Sequence, residues 1–294
     1  MSGTFKKTPE QLANFKKFKG LAWKPSKKVN NCKVIPKELQ LNNTQKFVKE
    51  VVNPKNENGM LLYHSVGSGK TLSALAIIKK FQNMGYNTLW VTRTTIKKDI
   101  EKGLELLPLK KAPFVISYKQ FSNMARKKGG IYQKLITDAK KIKANTEDPL
   151  YKTILIIDEA HKLYGEDVKA QEKPNIKLIE EIIFSSYQES DKPCKVILMT
   201  ATPITKKADE AIKLLNLIIK DPAKRFGGDF IKTSFDNTGM FTEKGKKDFI
   251  SKAKSLVSFL DISKDYSKFA KVESGENTAS ISYKDLQLCA LIKD

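Results

Sequence analysis

The chain has 294 residues, 40% of them hydrophobic, and sets 54 lysines and arginines against 32 aspartates and glutamates for a formal charge of +22. That is apolar material for one large domain or two modest ones, and positive charge enough to gather polyanions, nucleic acid first among them. No apolar run approaches the ~20 residues of a membrane span, the N-terminus has lysines but no apolar signal core, and Cys32, Cys194 and Cys289 lack metal-ligand spacing, so the expectation is a reduced intracellular protein, neither secreted nor membrane-spanning.

Residues 1–40 are basic, dotted with Phe5, Phe15, Phe18 and Trp23 and broken by Pro9, Pro25 and Pro36, and read as an arm or small helical cap. From Met60 onward short apolar runs alternate with longer amphipathic stretches. The runs are MLLYHSV (60–66), NTLWVT (87–92), PFVISY (113–118), TILIID (153–158) and KVILMT (195–200). Each is rich in β-branched or aromatic residues and bounded by polar ones, as buried parallel strands are. TLSALAIIKKFQNMGY (71–86) and KKADEAIKLLNLIIK (206–220) carry helix patterns between and after them. Strand–helix alternation predicts a doubly wound, mostly parallel α/β sheet flanked by helices. Residues 119–150 read as a lysine-rich, helical elaboration, and 221–250 as mostly loop with one basic helix at its end. SLVSFLD (255–261) reads as a late edge strand, and the last 30 residues as a strand and helix belonging to something else.

The chemistry sits just after the strands. HSVGSGKT (64–71) follows one strand and opens a helix, the setting a phosphate-binding loop requires, although His64 stands where the usual pattern has glycine. In Ser65-Val66-Gly67-Ser68-Gly69-Lys70-Thr71 the glycines let backbone N–H groups approach phosphate oxygens, and the helix N-terminus adds its dipole. Lys70 would reach the β- and γ-phosphates of ATP, and the Thr71 hydroxyl would ligate Mg²⁺. IIDEAH (156–161) supplies Asp158 for the Mg²⁺ shell, Glu159 to orient an attacking water, and His161 as a link to a neighbouring segment. TATPI (200–204) places Thr200, Ala201 and Thr202 where small hydroxyls can follow nucleotide state.

Together GSGKT (67–71), DEAH (158–161) and TATPI (200–204) resemble the superfamily 2 helicase and translocase ATPases. The resemblance implies a RecA-like domain over residues 41–262, with ATP and Mg²⁺ as cofactors and DNA or RNA as partner. It further implies that VTRTT, with Thr92, Arg93 and Thr94, and VISYKQF, with Ser117, Tyr118 and Lys119, hold the nucleic-acid backbone. Gln45 of LNNTQ would read adenine, as an amide can. LLYHSVGSGKT with TATPITKKADEAIKLLNLI is most similar to the large-DNA-virus branch, which includes poxvirus-type nucleoside triphosphatase I and the small subunit of the early transcription factor. Relatives there share a histidine at the position of His64. The implied task is then transcription on DNA, with viral RNA polymerase as partner and the virion or host cytoplasm as location. A remodeller- or restriction-type double-stranded DNA translocase and a nucleotide-gated binding module without processive activity stay open.

The motors of this superfamily use a second RecA-like domain whose arginine reaches the γ-phosphate. Here the arginines are Arg93, Arg126 and Arg225, and ISYKDLQLCAL, within 263–294, is similar to a linker and the start of such a domain, soon cut off. The expectation is a fragment of a longer motor, very weakly active alone, with a shallow, solvent-open phosphate loop and Lys70 free or holding an anion.

Overall fold

The computed structural model describes residues 41–55, 58–105, 109–124, 126, 129–165, 173–202, 209–236 and 240–261. The basic arm, the 263–294 segment, and Pro203 and Ile204 of TATPI lie outside these residues. The strands are β1 (Met60–His64), β2 (Asn87–Thr92), β3 (Phe114–Ser117), β4 (Thr153–Ile157), β5 (Lys195–Thr200) and β6 (Val257–Leu260). They form a six-stranded sheet in the order β3-β2-β4-β5-β1-β6, and the pairings, from Met60 opposite Ile197 to Leu89 opposite Phe114, are parallel throughout.

The helices are α1 (Asn43–Val51), α2 (Lys70–Asn83), α3 (Lys97–Glu105), α4 (Tyr118–Met124), α5 (Gly130–Lys140), α6 (Ile176–Glu189), α7 (Asp209–Ile218), α8 (Gly228–Ser234) and α9 (Glu243–Ala253). Alternate residues of each strand enter opposite cores. Met60, Leu62, Trp90, Ile154, Ile156, Ile197 and Met199 meet Phe47 and Val48 of α1 and Leu75, Ile78 and Phe81 of α2. Leu61, Leu89, Leu155, Ile157, Val196 and Leu198 meet Phe121 of α4, Ile179 and Ile183 of α6 and Ile212 and Leu215 of α7. With both faces covered, the strands can be apolar along their whole length, which is why they show in the sequence as continuous runs. This is the doubly wound, RecA-like layer arrangement expected.

Where expectation and structure part, side-chain chemistry gives the reason. Tyr118 leaves the anticipated strand because Ser117 and Gln120 form a capping box: the Gln120 N–H donates to Ser117 Oγ (3.2 Å) and the Ser117 N–H donates to Gln120 Oε1 (2.9 Å). Residues 221–250 are more helical than loop. The rings of Phe226, Phe230, Phe235, Phe241 and Phe249 pack with centroids 4.4–5.7 Å apart and join α8 and α9 to the core beneath α6 and α7. The edge strand stands as expected, β6 pairing with β1 from Leu61–Val257 to His64–Leu260.

Trp90 is fully buried at the centre of β2. Trp90→Ala should therefore lower stability by about 3–5 kcal/mol, read as a shift of the urea midpoint, with Trp90→Phe costing much less.

Candidate nucleotide and coupling site

A parallel sheet puts the carboxyl ends of all its strands along one edge, and ligands of open α/β folds bind there. Residues 65–69 leave β1 at that edge, Asp158 follows β4, and Ala201 follows β5. Since β4, β5 and β1 are neighbours in the sheet, the segments 64–71, 158–161 and 200–202 converge.

The loop after β1 is shaped by backbone conformation. Gly67 (φ 75°) and Gly69 (φ 79°) both lie in the left-handed region, where a side chain would be strained. Gly69 precedes α2 without any side-chain cap, which leaves the first N–H groups of that helix to whatever anion the loop meets. The Ser68 hydroxyl is buried and has no hydrogen-bond partner among the described residues. Val66 projects from the rim, 75% exposed, while Thr71 is half-buried. Contrary to the expectation that Lys70 is free or holds an anion, its Nζ donates to the carbonyls of His64 (2.9 Å) and Ser65 (3.1 Å). Burial lowers its pKa, opposed by the charges of Glu159 and Asp158.

Asp158 is held in a setting that disfavours its charge. Burial, then the neighbouring Glu159 carboxylate, push its pKa up to about 6, against the pull of the Glu159 N–H, Lys70 and the Thr92 hydroxyl. The Glu159 N–H donates to Asp158 Oδ1 at 3.0 Å. Glu159 itself sits in the left-handed region (φ 51°, ψ 45°), a costly conformation for a residue with a side chain. Its Oε2 lies 3.4 Å from His161 Nδ1. That nitrogen is 2.8 Å from Thr200 Oγ1, which in turn accepts from the Thr202 N–H at 3.0 Å. A continuous polar path thus runs from Glu159 through His161 and Thr200 to the backbone of Thr202, whose side chain is exposed; Ala201 between them is half-buried.

His64 answers for its place at the loop entrance. It is fully buried, and its Nε2 lies 2.9 Å from Ser258 Oγ on β6. Burial, reinforced by Lys70, depresses its pKa to about 3. One residue on, the Ser65 N–H donates to the Leu260 carbonyl at 2.9 Å. The start of the phosphate loop is therefore stitched to the edge strand. Ser258 was not anticipated, since a lone serine in an apolar run carries no signal of its cross-strand partner. Gln45, expected to face adenine, is buried. Its Oε1 caps α1 by accepting the Asn42 N–H (2.9 Å), and its Nε2 lies 3.4 Å from the Gly69 carbonyl of the loop.

The residues expected on the nucleic-acid backbone divide. Thr94 and Lys119 are exposed and Arg93 is half-buried. Thr92, Ser117 and Tyr118 are buried, which corrects the expectation that their side chains touch the track. The Thr92 hydroxyl is enclosed without a hydrogen-bond partner among the described residues, Ser117 caps α4, and the Tyr118 hydroxyl donates to the backbone carbonyls of Asp158 and Glu159. Cavities of about 330 Å³, beside Asn58, Lys252 and Leu256, and 180 Å³, beside Gln82, Thr88 and Phe114, lie at the opposite ends of the strands. The phosphate loop belongs to an open edge and to neither of them.

Among the described residues no group of three or more histidines, cysteines, aspartates or glutamates could hold a metal, and no helix is long and apolar enough to cross a membrane. A divalent cation at this edge would depend on Asp158, Thr71 and the phosphates of a nucleotide.

Residues 33–205, more than half of the chain, match the family described as type III restriction enzyme, res subunit. A protein of Acanthamoeba polyphaga mimivirus named as an ATP-dependent RNA helicase is 26% identical over 233 residues, 72% of this chain and 38% of that one. The nucleoside triphosphatase I of Choristoneura biennis entomopoxvirus is 28% identical over 201 residues, 65% of this chain and 29% of that one. The chain thus spans well under half the length of these relatives. A solved SWI2/SNF2 ATPase core from Sulfolobus solfataricus is 13% identical, covering 81% of this chain and 48% of that one, with a TM-score of 0.48.

The His64–Ser258 pair makes a testable contribution to stability. With a folded pKa of about 3 against an ordinary 6.5, His64 takes up its proton far more readily in the unfolded chain. Its contribution is full above about pH 6.5 and is lost as pH falls toward 3. His64→Gln should flatten that part of a urea-midpoint series against pH. Ser258→Ala, which leaves the buried Nε2 without its partner, should cost about 1–3 kcal/mol at pH 7.

Proposed function

We propose that this chain, which belongs to the family of the type III restriction enzyme res subunit, is a nucleic-acid-dependent ATPase motor domain of the helicase and translocase type. One observation carries the reading. An uncapped helix N-terminus with Lys70, the Asp158–Glu159 pair and the His161–Thr200 link meet at the carboxyl edge of a single parallel sheet. A helicase-like ATPase domain related to viral triphosphatases and helicases supplies the setting.

In this reading the phosphates of ATP lie against the N–H groups of residues 67–71, which the two left-handed glycines free for them. Lys70 exchanges the carbonyls of His64 and Ser65 for phosphate oxygens, giving up neutral acceptors for charged ones. The residues present fit Mg²⁺: the Asp158 carboxylate is penalised as it stands and would be relieved by a cation, and the Thr71 hydroxyl adds a ligand. Bound there, Mg²⁺ neutralises charge on the β- and γ-phosphates. Glu159, with its side chain 37% exposed, orients the attacking water and takes its proton. His161 senses the Glu159 carboxylate and passes its position to Thr200 and Thr202. Arg93, Thr94 and Lys119 grip the phosphate backbone, and the +22 charge holds the track nearby.

The finer reading, a transcription-associated motor on DNA with an RNA polymerase as partner, rests on the kinship with nucleoside triphosphatase I. Other relatives are named as RNA helicases, so both polymers belong in the test. Arg225 is committed elsewhere, donating to the carbonyls of Ile219 (3.1 Å) and Lys220 (3.4 Å) and lying 3.7 Å from the Phe184 ring centroid. With Arg93 assigned to the track and Arg126 exposed in the turn after α4, no described arginine is placed for the γ-phosphate. Such an arginine is worth roughly 10³–10⁵ in rate.

Lys70→Ala should abolish ATP binding measured with a fluorescent analogue, whereas Glu159→Gln should keep binding and lose turnover. Unaltered chain should turn over well below ~1 s⁻¹ and be stimulated by nucleic acid, by DNA more than RNA. ATP-dependent nucleic-acid binding with turnover that nucleic acid does not stimulate would instead favour the nucleotide-gated binding module.

Affinity for nucleic acid should fall steeply with salt and vary little with sequence, because counterion release dominates. A titration between about 50 and 200 mM salt checks this, and a flat response would contradict a backbone-gripping surface.

A further inference from the structure

We infer that the hydroxyl of Tyr118 is a positioning group that holds the Asp158–Glu159 turn in place opposite the phosphate loop. The inference rests on the reading of Asp158 and Glu159 as the cation-holding and water-orienting pair, and it assigns their alignment to a residue of another element. Tyr118 is 1% exposed. Its hydroxyl donates to the backbone carbonyl of Asp158 and to that of Glu159, the latter at 3.0 Å. One O–H proton thus serves both carbonyls of the turn that carries the two carboxylates.

That turn needs holding. Glu159 occupies the left-handed region without being glycine, a conformation that persists only where surroundings over-determine it. On its N-terminal side the turn is pinned to the sheet by the Asp158 N–H, which donates to the Val91 carbonyl at 2.9 Å. Tyr118 supplies the second fixed point. It can do so because its own backbone is immobilised by the Ser117–Gln120 capping box and by Ser122, whose Oγ donates to the Tyr118 carbonyl at 3.0 Å and accepts the Asn175 N–H at 3.0 Å. The next residue, Lys119, is exposed. The start of α4 therefore carries, side by side, an exposed residue and the hydroxyl that holds the carboxylate turn.

The test is nucleotide binding by the whole chain, measured with a fluorescent ATP analogue in Mg²⁺ and again in EDTA. Tyr118→Phe removes the hydroxyl alone. Affinity in EDTA, which reports the phosphate loop, should stay within about twofold. The gain in affinity brought by Mg²⁺ should shrink about tenfold, as expected for loss of a group that orients a metal ligand. Met124→Ala loosens the packing of the same helix without touching the hydroxyl or the bonds that fix its backbone and should keep the full gain, with thermal melts recorded for both variants. A Tyr118→Phe chain that keeps the wild-type Mg²⁺ gain overturns the inference. So does a parallel loss in Mg²⁺ and EDTA, or an equal loss in Met124→Ala, since either marks a purely structural role. Absence of ATP binding by the unaltered chain would instead overturn the nucleotide reading, and this inference with it.

Discussion

Parallel pairing of β4, β5 and β1 is the constraint on which everything else depends. Because the three strands run the same way side by side, the loops that leave them emerge at one edge, although residues 64, 158 and 200 are far apart in the chain. An antiparallel neighbour would send one of those loops to the opposite end of the sheet. The cost of this arrangement is long connections and two apolar faces to cover, which the helices of both outer layers meet.

The edge so formed is electrostatically unrelaxed. Lys70 turns its ammonium to backbone carbonyls, and Asp158 carries a carboxylate that burial and Glu159 both penalise. Glu159 holds a backbone conformation that costs free energy. Each of these would be eased by a polyanion paired with a cation. Sites arranged for a ligand commonly show this combination of strain and perturbed charge, whereas the same groups in a purely structural role would have closed on one another.

Around that edge the ties run outward in two directions. His64 and Ser65 bind the loop entrance to β6, the last described strand. Tyr118 binds the carboxylate turn to α4 at the far side of the sheet. The loop after β1 and the Asp158–Glu159 turn are thus each fastened to a neighbouring element, so their relative position is decided by the packing of the whole domain.

The sequence by itself determined the architecture and the strand ends at which the motifs lie. Strands buried on both faces must be apolar without interruption, so KVILMT and NTLWVT were legible as strands to the residue. The Gly-rich and acidic motifs were legible at strand ends because the apolar runs that precede them end abruptly in glycine or carboxylates. What only the tertiary structure decided is the direction in which polar side chains point. Tyr118, Ser117 and Thr92 belong to segments read as track contacts, yet all are buried; for Tyr118 and Ser117 the reason is that a hydroxyl is as well satisfied by a backbone carbonyl or a helix cap as by a phosphate. The S-x-x-Q spacing of Ser117 and Gln120 was available as a warning. Nothing in sequence marked Ser258 as the partner of His64, 194 residues away. Hydrogen bonding across such a separation depends on strand register, and register is settled only when the apolar faces on both sides of the sheet are packed.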